Sequence, residues 1–485
     1  MKRIIIVTTI FVFAVLAAGS VSATSSLSST IYVSPDGDDD NDGLTSTTPV
    51  KTINVGISKV TENGRVNLAA GTYNKTGKIS KDVDITINKN LTIAGAGKGK
   101  TIIDGLGASQ IFNIESGTVL IKDITFQNAR LDNSGGAISS DGTLTIKNCA
   151  FKNNTAVDDG GGALFTHTTL NVVDCVFIGN TADAGGAIFN KHGTLTVTGS
   201  TFINNKAKTD LDKYSGGGAI FNYYDSSYRI VGNTFLNNEA SAIHIAQDSS
   251  EYSEKSYEST ETMALINLNR IVGNTEYGIY LETGKPIKRL NTGSVDYKVD
   301  ATNNWWGSNS NPKNNPHNIG GDIDSVMADP WLVLTLSTNP SSISYGSTAT
   351  VTAKITQNSN GQDTSGIGHI PDGTPITITT DIGNVGSKSV TKYTVDGMAT
   401  AILRADDGYG TANLYAILDN FQTTLPSQVT IVKAAIIEPN DINTQESQII
   451  ETNKSRSIPL QKTGMPLFGV LMATLMILGG LTSKR

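Results

Sequence analysis

Five phenylalanines, Phe126, Phe151, Phe177, Phe202 and Phe235, recur at spacings of 25, 26, 25 and 33 residues, and this repeat limits the fold more than any other feature of the chain. The longest interval holds an inserted polar loop. Seven residues before each Phe stands Val119, Leu144, Leu170, Leu195 or Tyr228, and five before stands Ile121, Ile146, Val172, Val197 or Ile230. Such period-two alternation buries one face of a strand. A unit of this length with short strands and no helical pattern cannot bury its own apolar face, whereas stacked units share one core. The repeat therefore predicts an all-β molecule built on a parallel β-helix. A β-propeller is the competitor, but its blades need roughly 40 residues or more. About 12 coils at roughly 4.8 Å each give a rod on the order of 60 Å long.

The turns repeat as well. Asn128, Asn153, Gly179, Asn204 and Asn237 follow each Phe by two residues, a set that suits left-handed backbone. One residue further on, Asn154, Asn180, Asn205 and Asn238 are placed to bond one another as a side-chain ladder, which Ala129 interrupts in the first copy. Gly135-Gly136-Ala137-Ile138 recurs at Gly161, Gly185 and Gly217, with Ala240-Ser241-Ala242-Ile243 as a degenerate copy. Paired glycines there fit a corner at which neighbouring coils approach closely. Ile271-Val272-Gly273-Asn274 is a weaker copy of Phe177-Ile178-Gly179-Asn180, and Ile85-Thr86-Ile87 and Leu91-Thr92-Ile93 read as earlier, less regular coils.

Gly-Gly-Ala-Ile followed by Phe-x-x-Asn resembles the repeats of polymorphic outer-membrane proteins and of methanogen adhesin-like proteins, both of the pectate-lyase-like superfamily. The segment Ile31-Tyr32-Val33-Ser34-Pro35-Asp36-Gly37, with Asp42-Gly43-Leu44 and Gly71-Thr72-Tyr73, resembles that superfamily's first coils. Asn304-Trp305-Trp306-Gly307-Ser308 resembles the closing element of the methanogen proteins. Together these cover roughly residues 30 to 331. The resemblance implies a right-handed coil and an adhesin-like role at a surface; it is poorly specific for activity, because the same scaffold carries lyases, hydrolases and adhesins.

Outside the repeat, Met1-Lys2-Arg3, the apolar run Ile4 to Ala18 and Val21-Ser22-Ala23 have the three parts of a secretory signal, assigned to residues 1–23. The β-helix is assigned to 24–331. From 332 to 434 the alternation continues without the repeat, at Thr348 to Ile355, Pro375 to Thr379, Ala399 to Leu403, Ala412 to Leu418 and Gln428 to Val432. A β-sandwich fits; Gly373-Thr374-Pro375 and Asp396-Gly397-Met398-Ala399 resemble immunoglobulin-like modules of prokaryotic surface proteins. Residues 435–458 have a linker's polar composition. Within 459–485, Met465 to Leu481 forms a mostly apolar run before Thr482-Ser483-Lys484-Arg485, expected to anchor the chain in a membrane. Pro459-Leu460-Gln461-Lys462-Thr463-Gly464 resembles a sorting signal cut between Thr463 and Gly464, although the Leu-Pro order is not kept. An exported, surface-anchored location follows from these expectations.

The net charge of −7 and the lack of a basic cluster exclude nucleic acid as an expected partner and favour glycans or another cell-surface ligand. No enzyme is expected. Superfamily enzymes cluster Asp with Arg or Lys, either around Ca²⁺ or as paired acids; Asp158-Asp159 and His192-Gly193 lie 33 residues apart and lack the accompanying elements. Asp36, Asp38, Asp39, Asp40 and Asp42 invite a Ca²⁺ reading, but no Glu closes an EF-hand, so a solvated loop is the default. The five histidines show no metal spacing, and no metal or other cofactor is assigned. Cys149 and Cys175 stand two residues before successive repeat Phe residues; a disulfide between them and a pair of stacked free thiols are both open. Trp305 and Trp306 would supply either a sugar-binding platform or a cover for the last coil. Asn74, Asn90 and Asn153 satisfy the N-glycosylation rule. The acidic loop Gln247 to Thr262 either shapes a binding face or is a tolerated insertion.

Overall fold

Strand Thr118–Lys122 passes to Thr125–Gln127, then to Ile138–Ser140, and the next pass begins at Thr143–Lys147, which pairs in parallel with Thr118–Lys122. This is a computed structural model describing residues 27–74, 82–209, 215–223, 227–246, 264–282 and 299–433. The signal segment, the acidic loop, the apolar run Met465 to Leu481 and the Thr463-Gly464 pair lie outside those residues. Among the described residues successive passes build three parallel sheets of eleven, eight and nine strands. The winding is that of a parallel β-helix, and the longest sheet counts eleven coils against the 12 or so expected.

The sequence register is the structural register. Phe126, Phe151, Phe177, Phe202 and Phe235 are cross-strand partners in the eight-stranded sheet. Their rings stack with centroids 4.7 to 4.9 Å apart and planes within 10° of parallel. All five are fully buried, together with Leu144, Ile146, Leu170, Val172, Leu195 and Val197 from the eleven-stranded sheet. Burying such a side chain contributes about 1.5–3 kcal/mol, so the stack of coils supplies what no single coil contains.

Both kinds of corner adopt the expected backbone. Asn128, Asn153, Gly179, Asn204, Asn237 and Gly273 take φ between 50° and 70°. Asn154 Nδ2 donates to Asn180 Oδ1 at 2.9 Å, and the chain of donations continues through Asn205 and Asn238 to Asn274. Ala129 ends the ladder, although its backbone N–H still donates to Asn154 Oδ1 at 3.0 Å. At the glycine corner, Gly161 has φ 73°, and a Cβ on Gly162 would lie 2.2 Å from the carbonyl oxygen of Gly186 in the next coil. Only glycine fits there.

A second ladder runs parallel to the first. Its turn column, Asp123, Asn148, Asp174, Gly199, Gly232, Leu268 and Asn303, is also left-handed. The residues that follow line the inside of the corner: Cys175 N donates to Ser200 Oγ, Ser200 N to Asn233 Oδ1, Asn233 Nδ2 to Asn269 Oδ1, and Asn269 Nδ2 to Asn304 Oδ1. Near the start of the chain an α-helix, Ile53–Lys59, departs from the all-β expectation. Thr52 caps it, and Ile53 and Ile57 insert into the main core beside the first strands. Seven residues are too few for a helical period to show in the sequence.

The second part combines a three-stranded antiparallel sheet, Leu332–Asn339, Thr348–Asn358 and Met398–Arg404, with a mixed sheet that includes Pro375–Thr380, Gly410–Leu418 and Ser427–Val432. Strands from both sheets share one core. The five sequence-read strands all fall within observed ones; Leu332–Asn339, Ser342–Ser344, Ser389–Tyr393 and Phe421–Gln422 were not foreseen. Arg270, on the last strand of the Phe sheet, holds Asp419 of the second part with two guanidinium nitrogens, and both side chains are nearly buried.

Candidate functional site

The three lateral faces of the coil stack differ in what they present. On the nine-stranded sheet, Phe165, Phe189 and Phe221 point away from the main core yet are buried, forming a satellite cluster with Ala184, Tyr223 and Ala246. Residues preceding the glycine corners fold over them. A Cβ on Gly160 would meet Phe189 Cδ1 at 1.7 Å, and one on Gly216 would meet His244 Nδ1 at 2.3 Å. His244 is the next member of this aromatic column, 4.8 Å from the rings of Phe221 and Tyr280. Among the described residues neither of its ring nitrogens has a partner, and burial holds its pKa down at about 3. From Phe165 to His244 this face is closed by its own loops, while Thr86, Asn113 and Ser139 on earlier strands of the sheet keep some exposure.

Among the described residues the eleven-stranded sheet is open from Thr118–Lys122 to Ser227–Val231. Thr118, Thr143, Thr169, Thr194 and Ser227 stand in one column across successive coils, and Leu120, Thr145, Asn171, Thr196 and Arg229 in the next. Both columns face solvent. Strand geometry sets them on a grid of about 4.8 Å between coils and about 6.6 Å between columns. Among the described residues the hydroxyls of Thr143, Thr145, Thr169, Thr194 and Thr196 have no hydrogen-bond partner, whereas Thr377 and Thr391 on the second part bond each other at 2.9 Å. The outward positions between Lys147 and Arg229 carry no charge. Thr194, Thr196, Ser227, Arg229 and Leu265 line a shallow groove of about 300 Å³ on this face. A field of unpaired hydroxyls bordered by Lys147 and Arg229 can donate to and accept from a polyhydroxylated surface at many points, each bond weak and their number large. Its signal was in the sequence, as Thr-Leu-Thr at Thr143 to Thr145 and Thr194 to Thr196, on the strand positions that alternate with the core.

The other sequence candidates are distributed as follows. Asp159 Oδ2 accepts from Ser134 Oγ at 2.5 Å, and its carbonyl accepts from Asp183 N at 3.0 Å. Asp158 is exposed, His192 sits in a left-handed turn with φ 64°, and among the described residues neither Asp158 nor Asp159 pairs with a lysine or arginine. In the aspartate-rich loop the carboxylates serve the backbone: Asp39 Oδ1 accepts from the N–H groups of Lys51 and Thr52, and Asp42 Oδ1 from that of Leu44 and from the Thr48 hydroxyl. These bonds hold Asp42 below the usual carboxylate range.

Trp305 and Trp306 are both buried, so the sugar-platform reading is corrected: neither ring has an open face. Trp306 belongs to the β-helix core and Trp305 to the core of the second part, where its indole N–H donates to Asp419 Oδ2 at 2.8 Å. The adjacent pair thus joins two cores. Cys149 and Cys175 are free thiols inside the second ladder, so the bridged alternative is not the one formed. Cys149 N donates to Cys175 Sγ at 3.4 Å, and the two thiols donate to the carbonyls of Lys147 and Val173. Burial and the neighbouring Cys175 push the Cys149 thiol well above its ordinary range. Of the sequons, Asn153 is exposed at its turn, while Asn90 Oδ1 accepts from Thr118 N at 2.6 Å; Asn74 ends strand Gly71–Asn74 with a half-buried side chain.

A coil stack with one closed and one open polar face defines an all-β repeat protein of a kind that fits a surface, adhesin-type role. The Chlamydia polymorphic membrane protein repeat matches this chain over residues 174–191 and 199–223. That segment spans the coils carrying Phe177, Phe202 and the Gly185 and Gly217 corners. The matched repeat is of a non-catalytic, adhesin type, in keeping with a non-enzymatic protein, and it supports a surface-associated location. It is a coarse link and does not single out the methanogen proteins. A search of curated proteins found no match. Among the described residues no helix is long and apolar enough to cross a membrane.

Proposed function

We propose that this chain is an anchored surface adhesin that holds extended neutral glycans, of a wall or of another cell, against the open face of its eleven-stranded sheet. One observation carries the reading: unpaired hydroxyls of Thr143, Thr145, Thr169, Thr194 and Thr196 repeat at the coil spacing on a face flanked by the cations Lys147 and Arg229. Contacts spread along a rod need no deep pocket, because many weak bonds, multiplied over many copies, give avidity.

In this reading residues 1–23 direct export, residues 24–331 form a right-handed β-helix, residues 332–434 form an immunoglobulin-like sandwich that spaces it from the envelope, 435–458 link, and 459–485 anchor. Anchorage is through the Met465 to Leu481 run as a membrane helix, with cleavage at Thr463 as the wall-attached alternative. Nucleic acid is no partner of an acidic chain without a basic cluster. Asn74, Asn90 and Asn153 are the positions that would carry N-linked glycans.

The test is a glycan array probed with the full chain, with the same preparation assayed for unsaturated or reducing-end products. Binding without turnover supports the adhesin. Turnover would make it a lyase or hydrolase, and silence in both would leave a structural component of the envelope.

A further inference from the structure

The second part brings three ligand-type side chains together. His369 and Asp372 lie in the loop between strands Thr348–Asn358 and Pro375–Thr380, and Asp396 lies in the turn between Ser389–Tyr393 and Met398–Arg404. One donor atom from each lies within 4.8 Å of the others. Asp396 N donates to Asp372 Oδ1 at 2.8 Å, which ties the turn to the loop. Gly397 admits the histidine: a Cβ there would lie 2.9 Å from His369 Cβ.

The ring orientation is that of a ligand. His369 Nδ1 lies 2.7 Å from the carbonyl oxygen of Ile370 and 3.5 Å from Asp372 Oδ1, contacts in which Nδ1 donates, so in the neutral ring Nε2 is the nitrogen left to bind a cation. Nε2 is 3.7 Å from Asp396 Oδ1. That is too long for a hydrogen bond and near the separation of two ligands sharing an ion at about 2.1 Å from each. Among the described residues no lysine or arginine pairs with Asp372 or Asp396, and the histidine is the one basic group beside them. All three side chains retain exposure, which leaves room for water to complete the coordination.

The geometry points to a site for one divalent transition cation of the zinc class, held by His369 Nε2 and the carboxylates of Asp372 and Asp396. An imidazole with two carboxylates suits Zn²⁺ and its neighbours, whereas Ca²⁺ and Mg²⁺ prefer oxygen alone. The ion would clasp loop to turn. Because a Cβ on Gly368 would lie 2.7 Å from Leu268 Cδ1, the clasped loop also bears on a coil of the β-helix.

The experiment is calorimetric titration of the untagged full chain with Zn²⁺, with Ca²⁺ and Mg²⁺ in parallel and thermal unfolding followed with and without metal. One Zn²⁺ per chain is expected, with a rise in Tm, and the uptake should be lost in His369→Gln and weakened tenfold or more in Asp396→Asn. Metal-free unfolding of both variants should match that of the parent. No uptake by the parent up to about 1 mM, an affinity too weak to serve, would overturn the site. So would uptake that both variants retain, which would assign the ion to another group such as the His167–Asp141 pair.

Discussion

At the scale of single residues the fold rests on polar groups that satisfy one another inside a closed corner. Asn180 shows this best: its Oδ1 accepts from both the backbone N–H and the side chain of Asn154, while its own amide donates to Asn205 and to the carbonyl of Phe151. Asn180→Ala strands those groups away from water, and an unsatisfied buried donor costs about 1–3 kcal/mol, so a loss of about 2–5 kcal/mol is expected by urea unfolding. His244 is the opposite case, a titratable ring in a place filled elsewhere by Phe. Its folded pKa of about 3 lies below its ordinary 6.5. The unfolded chain therefore takes up the proton first: stability is complete above about pH 6.5 and falls by up to about 1.4 kcal/mol per pH unit on going down toward 3. His244→Phe should abolish that part of the acid sensitivity. Asp82, whose carboxyl burial raises to about 6, gives a trend of opposite sign, but it is present in both proteins and cancels from the difference between their pH profiles.

At the scale of the element, what the sequence revealed depended on whether a column keeps one kind of residue. The Phe column, the Asn154 ladder and the glycine corners repeat a single chemistry and were legible. The second ladder was not, because it changes from Cys149 and Cys175 through Ser200 to Asn233. The aromatic column Phe165, Phe189 and Phe221 escaped notice because each stands beside the inward Leu164, Ile188 or Ile220, and which neighbour turns outward is set by the pairing. The threonine columns were visible only as good strand formers. His369, Asp372 and Asp396 become neighbours only through the pairing of separate strands. The glycine corner is testable as an element. Gly162→Ala drives a methyl onto the carbonyls of Gly186 and Thr181, at 2.2 and 2.5 Å, and is expected to cost about 3 kcal/mol or more, as other overpacked sites do. Gly366→Ala, which meets nothing within 4 Å, serves as the control with little change in Tm.

At the scale of the molecule, the β-helix and the second part are joined by Asp419, which receives Arg270 and the Trp305 indole in a nearly buried site. Removing one partner leaves a buried guanidinium unpaired, at a cost of about 3–5 kcal/mol. Asp419→Ala is therefore expected to split one calorimetric unfolding transition into two, as the parts lose their coupling; a single unchanged transition would show that the joint does not couple them.

The central claim, that this open face is the contact surface, is tested most directly by comparing the full chain with a variant carrying Thr143→Val, Thr145→Val, Thr194→Val and Thr196→Val on an array of neutral oligosaccharides. Valine keeps the branched shape that strands favour while removing the hydroxyls. The account expects binding to fall at least tenfold, equivalent to about 1.4 kcal/mol, with unfolding unchanged. Equal binding by both proteins would contradict it and move the contact surface elsewhere on the molecule.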